Sequence, residues 1–142
     1  MSSRTRTLSF IVSGTPAPKG SFRISSKRGG RGFVVRKDSD ATEAWEQRVA
    51  WAARVAMGRE PVFTGPVEVT LEFWMPRPKS VKRSLPSVKP DWDKLARSTC
   101  DALTATVLVD DALVVDAVVR KRYADRGEEG ATITVKELID GA

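Results

Sequence analysis

Histidine is absent from the 142-residue sequence, and Cys100 is its one cysteine. Without an imidazole, neither a Ser-His-Asp triad nor a Cys-His pair can form. Zinc sites of the usual Cys and His types are excluded too, and a single thiol makes no internal disulfide. We therefore expect Cys100 to pack as a small apolar side chain in a reducing compartment.

Long hydrophobic runs are also missing. No apolar stretch approaches the roughly eighteen residues of a membrane-spanning helix, and no N-terminal segment has the apolar core of a signal peptide. The sequence therefore predicts a soluble, intracellular protein. Apolar residues make up 41% of the chain and four residues are tryptophan, which favours a folded chain over a disordered one.

Acidic residues are missing from two long segments, one before Asp38 and one between Glu72 and Asp91. The net charge of +6 and the pI near 9.8 favour an anionic partner. Ordinary basic surface loops remain the alternative explanation. The basic residues of the two segments are Arg4, Arg6, Lys19, Arg23, Lys27, Arg28, Arg31, Arg36 and Lys37, then Arg77, Lys79, Lys82, Arg83 and Lys89.

Glutamate is missing from residues 91–116, where all six acids are aspartates. Carboxylates placed so close together repel one another unless a cation lies between them. Aspartate oxygens are ligands that Mg²⁺ and Mn²⁺ prefer. An acidic metal site in a basic protein indicates chemistry on a polyanion, for which nucleic acid is the obvious candidate. The six residues are Asp91, Asp93, Asp101, Asp110, Asp111 and Asp116.

Hydrophobic periodicity predicts a single α+β domain over residues 1–142, with a mixed sheet of about four to five strands packed by two main helices. The segments 14–32 and 76–90, rich in basic residues, proline and glycine, are predicted to be flexible loops. The strands are predicted at 8–12, 33–35, 67–74, 114–123 and 131–138, and the helices from an N-cap at Asp40 to about Met57 and from Asp93 to about Thr106.

The first predicted helix has an unusually wide apolar face. Trp45, Val49, Ala52 and Ala56 form one stripe, which Trp51 and Val55 extend around the helix. We expect this face to contact the sheet, and it is wide enough to contact a second subunit as well.

The first basic loop contains Lys19-Gly20-Ser21, which superficially resembles a phosphate-binding loop. The order is wrong for that motif, and Pro16 and Pro18 remove amides that a phosphate cradle would use. Nucleotide binding is therefore rejected. The loop is either an arm that contacts a nucleic-acid backbone or a plain surface loop.

The spacing of the aspartates predicts a metal site. Pro90 keeps the chain extended as it reaches Asp91, so Asp91 and Asp93 can project on the same side. We expect packing of the second helix on the sheet to return Asp111, beside Asp110, to their neighbourhood. Three carboxylates, waters and phosphate oxygens make a suitable octahedral Mg²⁺ shell.

Each of these residues also has an ordinary structural interpretation. Asp93, Arg97 and Asp101 have the spacing of a helical ion-pair ladder. Asp93 alone suits a helix cap, and Asp110 with Asp111 suits a turn. In the metal-site interpretation, Lys94 and Arg97 would instead stabilise the charge on a phosphate.

A family resemblance rests on Asp91-Trp-Asp93-Lys-Leu-Ala-Arg97, Asp101-Ala-Leu103 and Asp110-Asp111-Ala-Leu-Val-Val-Asp116. This sequence resembles the RusA family of Holliday junction resolvases, whose pattern is D-x-D-N-x-x-K…D-A-L…D-D-x-Q-V, over roughly residues 89–121. The resemblance implies a small homodimeric α+β endonuclease, often phage-borne, that cuts paired strands at four-way DNA junctions with Mg²⁺, or with Mn²⁺ as a substitute. It implies a role in recombination and repair in the cytoplasm, near the nucleoid, without a nucleotide cofactor or a membrane.

The resemblance also implies residue roles. The catalytic metal ligands would be Asp91, Asp93 and Asp111, and Asp110 would be an adjacent contributor. Arg97 stands at the family's lysine position, where it keeps the charge but cannot lose a proton.

Two further motif positions depart from the family. Lys94 stands where the family has asparagine and is the other candidate for the lysine's role, and Leu113 stands where the family has glutamine. Trp92 would either stack on an unpaired base or pack in the core. Salt-sensitive contacts to DNA phosphates are expected from Lys19, Arg23, Lys27, Arg28, Arg31, Lys79, Lys82, Arg83 and Lys89.

The sequence is thus interpreted as a Mg²⁺-dependent, structure-selective DNA endonuclease that resolves four-way junctions. One alternative is a non-catalytic basic DNA-binding protein whose acids form internal ion pairs. The other is a metal-dependent nuclease for other branched DNA.

Overall fold

The computed structural model describes residues 5–20, 22–26, 32–36 and 39–139, which form one small α+β domain with two helices and a four-stranded mixed sheet, as predicted. No helix in these ranges is long and apolar enough to cross a bilayer. The elements are β1 (Thr7–Ser13), β2 (Phe22–Ser26), β3 (Gly32–Arg36), α1 (Asp40–Met57), β4 (Val67–Met75), α2 (Trp92–Leu103), a 3₁₀ turn (Asp111–Leu113), β5 (Val114–Tyr123) and β6 (Gly130–Glu137).

The main sheet has the strand order β1-β6-β4-β5. The central strand β4 alternates between buried and half-buried residues along its whole length, because successive side chains of a strand point to opposite faces. β4 pairs antiparallel with β6 but parallel with β5. A parallel pair needs a crossover connection, and residues 76–113, which contain α2, provide it.

The crossover determines where the two ends of α2 lie. Its first turn follows the C-terminal end of β4, while its last turn leads to the start of β5. Lys121 near the end of β5 donates hydrogen bonds to the segment just before α2. Val107, just after α2, accepts one from the backbone amide of Phe63, which precedes β4. The two ends of α2 are therefore at opposite ends of the parallel strand pair.

The helices are tied to one another inside the core. The indole Nε1 of Trp45 donates a buried hydrogen bond of 3.1 Å to the Thr99 hydroxyl, and the Trp45 and Phe73 rings lie 6.5 Å apart. Leu95 and Leu103 are fully buried on the same side of α2. Since both helices pack on one face of the sheet, the orientation of α2 is fixed by the core.

The apolar face of α1 divides into a buried and an exposed part. Trp45 and Val49 are buried as predicted, and Ala52 and Ala56 are half-buried at the margin. Trp51 and Val55 are 68% and 66% exposed. The apolar face predicted for α1 is therefore wider than the part of the helix that is buried in the core.

Some element boundaries differ from the prediction. Phe22–Ser26 forms β2 and pairs with β3 as a hairpin, although this segment was expected to be loop, because the short Phe-Arg-Ile-Ser alternation is surrounded by glycine and lysine. Ser39 rather than Asp40 caps α1, since its hydroxyl accepts a 3.1 Å hydrogen bond from the Thr42 amide.

The second helix also begins and ends earlier than predicted. Asp91 occupies its N-cap position, and it ends at Leu103 instead of near Thr106. The chain turns there because Ala105 adopts a positive φ of 70°, and the amides of Val107 and Leu108 both donate to the Leu103 carbonyl.

We expect Gly130→Ala to destabilise the fold. Gly130 pairs with Ser13 across the β1–β6 ladder, and a Cβ there would overlap the Val12 carbonyl oxygen. Overpacking against backbone should lower the free energy of unfolding by about 2 kcal/mol, measured by urea denaturation. The matched control is Gly65→Ala, where a Cβ would meet no atom within 4 Å. Equal stability of the two variants would contradict the close approach.

Candidate metal centre and nucleic-acid interface

The first pair of carboxylates lies at the N-terminus of α2. Asp91 is the N-cap residue, but its side chain makes no capping hydrogen bond, so its carboxylate oxygens are not used to close the helix. Asp93 lies in the first turn, where the positive end of the helix dipole stabilises a negative charge. Both residues are exposed, and both line one open pocket. This end of α2 therefore presents two carboxylates to the same space.

Lys121 on β5 lines the same pocket and was not found by sequence reasoning. Its ammonium donates hydrogen bonds of 2.7 Å to the Val88 carbonyl and 2.8 Å to the Pro90 carbonyl. The sequence does contain an indication of this role. Lys121 lies between Val119 and Tyr123 on the face of β5 that packs against the core, where an apolar residue would be expected. A charged residue at such a position indicates a specific partner.

The second pair of carboxylates precedes β5. Asp110 Oδ1 accepts a 2.9 Å hydrogen bond from the Ala112 amide and caps the 3₁₀ turn that begins at Asp111. This amide, and then the hydrogen bond from Asp111, lower the pKa of Asp110. The hydrogen bond to Asp110, then desolvation and the charges of Asp110 and Asp101, raise the pKa of Asp111. The shared hydrogen bond therefore moves the two pKa values apart, with Asp110 ionising before Asp111, and a bound cation would relieve the repulsion between the two carboxylates.

The two pairs are separated by the length of α2. Asp93 is in its first turn, and Asp101, whose charge acts on Asp111, is eight residues later, which corresponds to a rise of about 12 Å. Over the described ranges, no three His, Cys, Asp or Glu side chains converge to hold a metal ion. Within one chain, Asp91 thus lies near Asp93, and Asp110 lies near Asp111. The described ranges show no cluster of Asp91, Asp93 and Asp111.

The predicted ion-pair ladder on α2 is present only in part. Arg97 Nη2 lies 3.9 Å from Asp93 Oδ2, and both side chains are exposed, so this contact is weak. Asp101 instead pairs with Lys19 at 3.1 Å. Lys94 is half-buried and lines a second, mainly apolar pocket that also includes Asp91.

Lys19, which was predicted to contact DNA, has carboxylate partners within the chain. It is only 9% exposed, and its ammonium lies 3.3 Å from Glu46 and 3.1 Å from Asp101. Its amide donates to the Lys94 carbonyl at 3.0 Å, and the Ser98 hydroxyl donates to the Ala17 carbonyl at 2.6 Å. Residues 15–20 are therefore docked on α2, where Lys19 offsets part of the charge near the second pair.

The other basic candidates fall into two groups. Lys27, Arg28 and Arg31 lie outside the described residues, and Arg23 is described only as a member of β2. Segment 76–90 has no helix or strand, and it is fixed to β5 where Arg83 Nε donates to the Tyr123 hydroxyl at 2.9 Å. Its exposed candidates are Lys79, Lys82, Arg83 and Lys89.

Trp92, between the first two carboxylates, is 59% exposed. The core-packing interpretation is therefore wrong for this tryptophan. Its exposed ring remains suited to stacking on a base.

Cys100 should report on the second carboxylate pair. Burial, then the charges of Asp111 and Asp101, raise the pKa of its thiol to about 11, so the reactive thiolate is scarce at pH 8. We expect its reaction with Ellman's reagent at pH 8 to be at least about tenfold slower in the native than in the guanidinium-unfolded protein.

Asp111→Asn removes one of these charges and should accelerate the native reaction. Asp93→Asn, which changes a residue at the other end of α2, serves as the control and should leave the rate unchanged. A native thiol that reacts as fast as the unfolded one would contradict the raised pKa.

Two comparisons relate the chain to known proteins. The model of the family described as Endodeoxyribonuclease RusA matches residues 13–136, a span that contains both carboxylate pairs and Lys121. The chain is also similar to the uncharacterized protein YqaN of Bacillus subtilis (strain 168). The two are 30% identical over 143 residues, which cover 92% of this chain and 96% of that protein.

Proposed function

Because the chain belongs to the RusA endodeoxyribonuclease family, we propose that it is a Mg²⁺-dependent endonuclease that resolves four-way DNA junctions by paired phosphodiester hydrolysis. This activity would serve DNA recombination and repair. The observation that carries the proposal is the exposed Asp91–Asp93 pair, which lines one pocket together with the exposed Lys89 of the basic segment 76–90.

The donor set suits the proposed ion. Mg²⁺ is usually bound by one or two carboxylates, with substrate phosphates and waters completing its shell, and Asp91 and Asp93 supply two carboxylates that face the same pocket. When bound, the ion supplies an activated water and stabilises charge on the leaving oxygen. No imidazole is available as a general base, which fits a reaction that relies on a metal.

The residues around the pair would bind and orient DNA. Lys89 and Lys94 line the pocket that adjoins Asp91, and their cationic side chains suit the phosphates on either side of the scissile bond. Arg97 lies one turn beyond Asp93 on an exposed face, where it would add to the same positive field. The exposed ring of Trp92 offers a stacking surface for a base at the crossover.

We further propose that two copies of the chain complete the site. β5 is an edge strand of the main sheet, and edge strands carry unpaired backbone groups that can pair with another chain. Antiparallel pairing of two β5 strands about a two-fold axis would place the start of one strand beside the end of the other. Asp110 and Asp111 of one copy would then approach Asp91 and Asp93 of the second copy.

This assembly also fits the substrate. A four-way junction has approximate two-fold symmetry, so a symmetric dimer presents one site to each of two opposed strands. The exposed edge of β5 carries Val115, which is 65% exposed, an apolar side chain suited to a contact between copies. Trp51 and Val55 on α1 form a rival apolar surface, but it lies along β1, at the opposite edge of the sheet from the carboxylates.

The first prediction of this proposal concerns cleavage. With Mg²⁺, we expect the protein to nick a synthetic four-way junction in two opposed strands, and Asp93→Asn to slow nicking by about a hundredfold while binding persists. Asp125→Asn, an exposed aspartate beyond β5, is the matched control. Product analysis on sequencing gels and gel-shift titration measure the two quantities.

Other outcomes discriminate the alternatives. Binding without nicking under any divalent ion would favour the non-catalytic DNA-binding protein, and equal cutting of flaps and forks would favour a general branched-DNA nuclease. If the site is shared between copies, mixing Asp93→Asn with Asp111→Asn should restore part of the nicking, because each mixed dimer has one complete site.

A separate prediction concerns the dimer contact. Val115→Glu should leave the protein largely at the 15.6 kDa monomer mass at concentrations where the unmodified chain is dimeric, because a carboxylate would be buried without a partner. Trp51→Glu, the same change at the rival surface, should leave the dimer intact. Light scattering coupled to gel filtration measures the mass, and the reverse result would assign the interface to α1.

A further inference from the structure

We infer that Lys121 is a positioning residue of the proposed site, which holds the backbone just before Asp91 and so fixes where the carboxylates of Asp91 and Asp93 lie. This inference rests on the proposed function. Its structural basis is the pair of hydrogen bonds from the Lys121 ammonium to the Val88 and Pro90 carbonyls, of 2.7 and 2.8 Å.

The tether acts very close to the first carboxylate. The Pro90 carbonyl belongs to the peptide unit whose nitrogen is that of Asp91, so movement of this carbonyl would move the Asp91 backbone. Asp91 is also the N-cap of α2, and its own carbonyl accepts the first helical hydrogen bond, 3.1 Å from the Leu95 amide. Lys121 thus fixes the approach to the helix while the core fixes the helix itself.

Segment 76–90 depends on such side-chain contacts. It contains no helix or strand, so it has no backbone ladder to hold its end in place. The contacts that tie it to β5 are the Lys121 hydrogen bonds, the hydrogen bond from Arg83 to the Tyr123 hydroxyl, and the Arg77 guanidinium 5.6 Å from the centroid of the Tyr123 ring. Of these, the Lys121 bonds lie at the carboxylates, and the Arg83 bond lies seven residues before Pro90.

The position of Lys121 in β5 supports a specific role. It is paired with the buried Phe73, and its neighbours on the same face, Val119 and Tyr123, pack against the core. A lysine on that face must run its aliphatic stem along apolar side chains and bring its ammonium to polar partners. The neighbouring Arg120 and Arg122 are exposed, in contrast to the half-buried Lys121.

Lys121 also differs from the two cations suggested by the sequence motif. Arg97 makes a single exposed contact of 3.9 Å to Asp93, and the ammonium of Lys94 is not among the groups that line the Asp91–Asp93 pocket. Lys121 lines that pocket and is held by two short bonds. Its hydrogen bonds therefore hold the backbone at this pocket and leave the carboxylate oxygens of Asp91 and Asp93 to other partners.

The test compares Lys121→Met, which keeps the stem and removes the ammonium, with Lys121→Arg and the unmodified protein. We expect Lys121→Met to require about tenfold more Mg²⁺ for half-maximal nicking of a four-way junction, with the maximal rate and the junction affinity changed much less. Lys121→Arg should recover part of the loss, because a guanidinium can still donate to both carbonyls.

Two readouts do not depend on cleavage. Binding of Mn²⁺ to the DNA-free protein, followed by electron paramagnetic resonance, should weaken in Lys121→Met. Hydrogen exchange of the amides at 87–93 should accelerate in the same variant. Tyr123→Phe, which removes the hydrogen bond from Arg83 and keeps the ring beneath Arg77, is the matched control and should leave Mn²⁺ affinity unchanged.

The outcomes separate the inference from the proposed function. If the unmodified protein nicks junctions but Lys121→Met shows the same Mg²⁺ requirement, Mn²⁺ affinity and exchange, the positioning role is wrong and the nuclease stands. If the unmodified protein neither nicks nor binds Mn²⁺, the proposed function fails. Hydrogen exchange then still tests whether Lys121 holds the backbone before Asp91. If exchange at 87–93 is the same in Lys121→Met and the unmodified protein, the positioning role is wrong as well.

Discussion

The parallel pairing of β4 with β5 is the constraint on which the rest of the structure depends. Because the two strands are parallel, the segment between them must return from the end of β4 to the start of β5, and α2 spans this distance while packed against the core. The acidic motif is continuous in sequence from Asp91 to Asp116, but the crossover spreads it along a helix. A cluster that looks like one site in the sequence is therefore two carboxylate pairs in the fold.

Each of the two carboxylate pairs has a lysine nearby that is held by internal contacts. Lys19 is buried against Glu46 and Asp101 near the second pair, while Lys121 is held beside the first pair. Neither cation is on a freely exposed surface. The exposed charge of segment 76–90 lies beyond them, where it suits long-range attraction of a polyanion. Net charge alone would not have distinguished internal from exterior lysines.

Much of the fold could be predicted from the sequence because it depends on local periodicity. The alternation in β4 and the buried face at Trp45 and Val49 are patterns within a few residues. Both carboxylate pairs were identified as candidates for the same reason. What could not be predicted depends on the path of the chain: the separation of Asp93 from Asp111, and the approach of Lys121 to Pro90 across 31 residues. No periodicity in the sequence encodes such contacts.

The separation of the two pairs acquires a physical meaning if two copies meet at β5. A single chain would then hold the two carboxylate pairs apart, and the ion would gain the second pair as additional ligands only where two chains meet. Metal binding, and with it hydrolysis, would be coupled to dimer formation by geometry alone. Since the same two-fold axis creates two complete sites at once, the assembly that allows cutting would also be the one that matches the symmetry of a four-way junction.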